Sequence, residues 1–174
     1  MNHDKLIISI DKFFPDKNNA ILVSACLLGI NCTYDNSNNK NEFVLLLSDY
    51  RELIPICPEQ LSGLPTPRDP QSIVNGTGKD VLNGKTSIMT VKEIDVTANF
   101  LKGVSEIEKI VNLYQIKYAI LKEKSPSCGV KQIYNNDNLV AGQGVTTAYL
   151  ESNNITVYSE KDIEKLLSFK SVDD

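Results

Sequence analysis

Four cysteines and one histidine set the chemistry open to this chain of 174 residues: Cys26, Cys32, Cys57, Cys128 and His3. Sites of the Ser/His/Asp or Cys/His kind need a positioned imidazole, and a lone histidine near the amino end is a poor supplier of one. Zinc sites built on several histidines are excluded on the same count. Proton transfer therefore falls to carboxylates, lysines, hydroxyls or water. Two of the thiols bracket the tight, glycine-containing turn of "SACLLGINC" at residues 24–32, directly after the apolar run Ile21-Leu22-Val23. Free cysteine often only fills a core, but in a reducing compartment cysteines serve metals or catalysis more than disulfide staples.

The elements that must position these thiols follow from the apolar pattern. "NNAILVSAC" predicts a turn and then a short strand covered on both faces. "NEFVLLLSDYREL" predicts a helix burying Phe43, Leu46, Leu47, Tyr50 and Leu53 or Ile54. "LIPIC" predicts a second strand, with Pro55 favouring a sheet edge or a strand start. Residues 71–90 carry the turn signals Asn75-Gly76 and Asn83-Gly84 and predict a hairpin excursion. The clearest helix follows, N-capped by Asp95, with Val96, Phe100, Val104, Ile107, Val111 and Tyr114 as its stripe. "KYAILKEKSPSCG" predicts a third strand and a loop, "GQGVTTAYLESNN" a glycine turn and a helix, "ITVYSE" a fourth strand and "KDIEKLLSF" a last helix.

Strands alternating with helices imply an α/β fold: a single domain with a mainly parallel, Rossmann-like three-layer sheet and a hairpin excursion. Residues 1–18 are expected to form an amino-terminal extension holding a short amphipathic helix, with residues 19–174 as the α/β domain. Open parallel sheets bind ligands outside the carboxyl ends of their strands. Cys26 ends "ILVSAC", Cys57 ends "LIPIC" and Cys128 lies just past "YAIL". Three thiols distant in sequence thus share one structural position, which packing alone gives no reason for. Zinc ribbons pair cysteines two to four residues apart, and no pair here is that close. An iron–sulfur cluster fits better, because thiolates are its preferred ligands. Three protein thiolates on a cubane leave one iron open as a Lewis acid, whereas Cys32 as a fourth ligand would close it.

Five stretches taken together, "SACLLGINCTYD", "PICPEQLSGLPTPRDP", "DVTANFLKG", "AILKEKSPSCG" and "GQGVTTAYL", resemble the domain-of-unknown-function family 523, one characterised type of which is the thiouracil desulfidase. The match runs in order over roughly residues 20–160. The resemblance implies a [4Fe-4S] cluster held by Cys26, Cys57 and Cys128. It implies that the open iron captures the sulfur of a thiolated base and that water replaces that sulfur without net redox change. It puts Glu59 and Ser125 beside the substrate, with Asp35 of "CTYD" as a further candidate. The chemistry is compatible: thiocarbonyl sulfur is soft, and a partly desolvated Glu59 would have the raised pKa of a proton shuttle. Plainer roles compete, namely a loop cap for Ser125, a solvated carboxylate for Glu59 or Asp35, and a packing group for Cys32. The chain departs from the expected pattern at "CTYDN", where a "CRYDG" form would carry a cation, at Gln71, where an acid is expected, and in its amino-terminal extension.

Arg68, held in the proline-rich "LPTPRDP", suits a planar or anionic ligand or else a surface salt bridge. The helix start at "GQGVTTA" offers backbone N–H groups to an anion. Hydrophobic content of 41%, charged content of 23% and a net charge of −4, without a basic block, describe an ordinary globular chain and speak against duplex nucleic acid as a partner. The apolar stretch at the amino end is cut by Asp11 and makes a poor signal peptide, and no run is long enough to cross a bilayer. The expected protein is therefore a cytoplasmic, cluster-dependent desulfidase acting on a small thiolated base. A cysteine-ligated zinc or cluster module without catalysis is the alternative.

Overall fold

Ile21–Ser24 form an inner strand, β1, buried along its whole length, because its side chains alternate between two apolar layers. Ile21 and Val23 enter one core cluster and Leu22 enters another. The computed structural model describes residues 3–136 and 138–168. In it α1 (His3–Phe13) precedes β1; a 3-10 turn (Ala25–Leu28), α2 (Glu42–Leu46), β2 (Leu53–Ile56) and α3 (Pro58–Leu61) follow. Next come β3 (Gln71–Ile73), α4 (Gly78–Leu82), β4 (Ile88–Thr90), α5 (Thr97–Tyr114) and β5 (Tyr118–Leu121). The chain continues through β6 (Gln132–Asn135), β7 (Asn138–Ala141), α6 (Val145–Ser152), β8 (Thr156–Ser159) and α7 (Glu160–Ser168).

The main sheet has the order β2-β1-β5-β8 and is parallel throughout. Residues of α1, α2 and α7 bury against one face, and residues of α5 and α6 against the other, which gives the expected three layers. Pro55 sits in the edge strand β2, where a missing N–H costs the ladder nothing on the open side. Phe100, Val104 and Ile107 of the predicted α5 stripe are buried, but Tyr114, the last residue of the helix, is exposed. The N-cap position falls on Val96 and not on the expected Asp95, which accepts the Thr97 N–H at 2.8 Å from one residue upstream.

Three expectations shift. The helix after Asn41 is short and ends in a 3-10 turn; Val44 and Leu47 are buried while Phe43 is exposed. A continuous run such as "FVLLL" carries no phase, so its buried side is set by what packs on it. The excursion over residues 71–90 does pair β3 with β4 antiparallel, but it also encloses α4, which carries a Thr77/Asp80 capping box and ends at Asn83. A second antiparallel pair, β6 with β7, joins β3 through a parallel contact at Ile73 and Asn135. Together they make a second sheet, β4-β3-β6-β7, packed on α5 through Ile73, Ile88, Ile133, Phe100 and Val104.

α1 is no loose appendage. Leu6, Ile10 and Phe14 enter the same cluster as β1, and the buried Arg51 ties the segment down through Asp11 Oδ1 at 2.5 Å and the Phe14 carbonyl at 3.2 Å. Among the described residues no helix is long and apolar enough to cross a membrane. The expected last helix extends to residue 169, and residues 1–2 and 169–174 of the two expected segments lie outside the described residues. Phe14 is fully buried, so Phe14→Ala is expected to lower stability in urea unfolding by about 3–5 kcal/mol. Leu113→Ala, at a side chain that is three-quarters exposed, is expected to stay within about 0.5 kcal/mol.

Candidate active site at the sheet edge

The chain leaves β1 for β2 on one side and returns to β5 on the other, so the strand order reverses between β1 and β5. Backbone connections diverge there and open a crevice at the carboxyl ends of the strands. A cavity of about 550 Å³ occupies this position. Cys26 in the 3-10 turn after β1, Cys57 directly after β2 and Cys128 in the loop after β5 all line it. Cys32 lines it too, and so do the other residues singled out from the sequence: Glu59, Ser125, Asp35 and Arg68.

The thiols are tightly enclosed. Cys26, Cys32 and Cys128 are buried and Cys57 partly so, and all four are free. Cys57 Sγ donates to the Cys32 carbonyl at 3.6 Å. A hydrogen bond to the Cys26 side chain pushes the Cys32 thiol up to about 11, against an opposing contact with Cys57. The Cys32 contact and burial together raise Cys57 far above the ordinary thiol range. Burial lifts Cys128 to about 12, with the Ser24 hydroxyl opposing. Cys32, Cys57 and Cys128 are thus neutral thiols at neutral pH, and metal capture by thiolates there must release protons. Cys32, a packing candidate in the sequence, stands next to both Cys26 and Cys57.

The Cys128 loop is held by α6. Ser125 Oγ accepts the N–H groups of Ser127 and Cys128, each at 3.1 Å, which is the loop-capping role. Its own hydrogen remains available to the cavity that it lines. Thr147 Oγ1 donates to the Cys128 carbonyl at 2.9 Å. The N–H groups of Gly144, Val145 and Thr146 donate to the carbonyls of Gly129, Pro126 and Ser127 at 2.8, 3.0 and 2.9 Å. The start of α6 therefore spends its donors on the loop, and the expected anion site there does not form. A Cβ on Gly144 would lie 2.4 Å from the Ser127 carbonyl oxygen, so the loop's approach requires glycine. Gly103 of α5 does the same for α3, where a Cβ would meet the Pro58 oxygen at 2.5 Å.

The charged groups divide sharply. Asp35 is exposed and turns inward on its own loop, accepting from Thr33 Oγ1 at 2.6 Å and Ser37 Oγ at 2.7 Å, which hold its carboxyl below the usual range. Glu59 is buried at the start of α3 and paired with Arg68, whose Nε donates to Glu59 Oε2 at 2.6 Å. Burial raises the Glu59 pKa and the guanidinium opposes that rise. Neither the solvated carboxylate nor the surface salt bridge describes this pair. A second linked pair, Lys122 Nζ with Glu160 Oε1 at 2.7 Å, stands at the β5 exit, where Lys122 lines the cavity. Glu160 was not legible as a site neighbour, because it is the first residue of a helix following another strand.

The donor set can be weighed on its chemistry. Soft thiols converge on one apolar-walled cavity, which suits iron–sulfur or zinc and not hard cations. Among the described residues no three His, Cys, Asp or Glu side chains converge closely enough for a single ion. Thiolates that bind different irons of one cluster stand farther apart than thiolates sharing one zinc. At about 30 Å³ per heavy atom, a generous share equal to that of liquid water, an eight-atom inorganic core and a base of about eight heavy atoms need ~480 Å³ together. The cavity has room for both.

Comparison with known proteins agrees with this geometry. The profile of the 2-thiouracil desulfurase family matches residues 21–162. The chain is 40% identical over 150 residues to the uncharacterized protein YbbK of Bacillus subtilis (strain 168), covering 84% of this chain and 99% of that one. It superposes on the solved structure of TudS, a [4Fe-4S]-dependent thiouracil desulfidase, with a TM-score of 0.73 and 34% identity, covering 88% of this chain and 99% of the other.

Gly144→Ala is expected to force the Cys128 loop away from α6, lowering stability by about 1–3 kcal/mol. Denaturant unfolding measures the loss, and anaerobic uptake of iron and sulfide by the variant is expected to fall with it.

Proposed function

From the chain's membership of the 2-thiouracil desulfurase family, we propose that it removes sulfur from a small thiolated pyrimidine of the thiouracil type. The single observation that carries this is the convergence of Cys26, Cys57 and Cys128, from three strand exits, on one cavity that also holds Glu59. These three thiols are the proposed ligands of a [4Fe-4S] cluster, the cofactor that TudS depends on. When bound, the cluster supplies a Lewis-acidic iron lacking a protein thiolate, which polarises a thiocarbonyl and leaves its carbon open to water.

The chain's own groups then manage protons and position. The net change is hydrolytic: water enters, the carbon exchanges sulfur for oxygen, and sulfide leaves without oxidation or reduction. Glu59, buried beside the cavity, accepts a proton from the entering water and returns it as sulfide departs. Ser125, fixed by two backbone N–H groups, turns its hydroxyl hydrogen to the base. Asp35, bound up in its own turn, shapes the mouth. The partner is a small molecule and not a duplex, in keeping with the cavity's size and the net charge of −4. The cytoplasm, where oxygen-sensitive clusters and reduced thiols persist, is the proposed compartment.

Anaerobic reconstitution with iron and sulfide tests this. The wild-type protein is expected to become brown, with broad absorption near ~400 nm from thiolate-to-iron charge transfer, and to convert thiouracil to uracil with release of sulfide. Cys26→Ser, Cys57→Ser and Cys128→Ser are each expected to lose the cluster, and Cys32→Ser to keep most of it. Equal loss at Cys32 would show a closed, four-ligand site. Glu59→Ala is expected to load normally and lose turnover by about 10²–10⁴-fold.

A further inference from the structure

Arg68 was expected either to bind a planar or anionic ligand or to lie in a surface salt bridge; it lines the cavity and its salt bridge is buried. Its side chain is 5% exposed, and all three guanidinium nitrogens meet protein acceptors. Nε and Nη2 both fall on one oxygen of Glu59, Oε2. Nη2 also donates to the Cys32 carbonyl at 3.0 Å, the same oxygen that accepts Cys57 Sγ–H. Nη1 reaches Thr66 Oγ1 at 3.1 Å and the Pro65 carbonyl at 3.4 Å, and the Arg68 backbone N–H donates to the Tyr34 carbonyl at 2.8 Å. One residue therefore ties together the turn after β1, the start of α3 and the proline loop.

The grip on Glu59 is one-sided. Among the described residues Oε1 has no hydrogen-bond donor, while Oε2 takes both arginine contacts. An arginine that forked across both oxygens would occupy the carboxylate completely. This one fixes the plane of the group through one oxygen and leaves the other for the cavity.

We propose that Arg68 is the positioning residue of the site: anchored on the Cys32 carbonyl, it aims Glu59 Oε1 at the reacting centre. This rests on the desulfidase function proposed above. A lysine cannot replace it, because an ammonium is a point charge and lacks the planar fork that spans carboxylate and carbonyl. The arginine acts on the orientation of a proton-handling group and not on substrate affinity, so its loss falls on kcat.

Two measurements test this. In the reconstituted protein, Arg68→Lys is expected to retain iron and sulfide at the wild-type ratio, to lower kcat at least tenfold and to leave KM within twofold. Unchanged kcat, or a rise in KM alone, would overturn the proposal. In the cluster-free protein, Glu59→Gln and Arg68→Gln are each expected to lower Tm, and the double variant to lower it by less than their sum, because the worst state is one buried charge without the other. Additive shifts would overturn the pairing. If the wild-type protein itself fails to desulfurate thiouracil, the functional proposal falls, and the cluster-free cycle still decides whether Arg68 and Glu59 act as a unit.

Discussion

A parallel sheet sends every strand out at the same edge, and the reversal of strand order between β1 and β5 leaves that edge open where the two connections part. The rest of the site depends on this constraint. Cys26 and Cys57 follow adjacent strands, and Cys128 follows the strand on the other side of β1. Their convergence needs no long-range guidance beyond the pairing of Leu22 with Ile54 on one side and with Ala119 on the other. The sheet is in turn held by burial on both faces, which fixes its register because a one-residue slip would exchange the two apolar layers.

Around that edge, secondary elements act as clamps. α6 closes on the Cys128 loop at a distance only glycine permits, and α3 sits on Gly103 of α5 for the same reason. These contacts use backbone carbonyls and N–H groups together with the Thr147 hydroxyl, and among the described residues no α6 side chain lines the cavity. The second sheet supports α5 from the far side and contributes Gln71 and Tyr134 to the cavity lining. The amino-terminal helix plays a different part: it covers the face opposite α5, is anchored through Arg51 and, among the described residues, contributes none to the cavity lining.

The electrostatics of the cavity follow from enclosure. Thiols that are difficult to ionise and a carboxylate raised by burial limit the charge beside the cysteines, where Glu59 is matched by Arg68 and Lys122 by Glu160; Asp35, Glu123 and Lys124 also line the cavity. Such a thiol-rich site favours soft metal centres over hydrated hard cations. Breaking either buried pair would leave an isolated charge, and this is the costly arrangement, more than the absence of both partners.

The four strands of the main sheet, their parallel placement and the arrival of Cys26, Cys57 and Cys128 at one edge were legible in the residues, because burial on two faces and the exit of a strand are local patterns. So was the edge position of Pro55. β6 and β7 of the second sheet were not. The excursion was only half legible: Asn83-Gly84 is equally a hairpin turn and a helix end, and Thr77 with Asp80 was the signal that decided for α4. Ser125 showed its capping geometry in Ser-Pro. What the linear order could not supply was which carboxylate is buried and what faces it. Arg68 and the Cys32 carbonyl are 36 positions apart and Lys122 and Glu160 are 38 apart. Charge pairing and desolvation depend on what tertiary packing brings within a few ångströms, and periodicity carries no information about that.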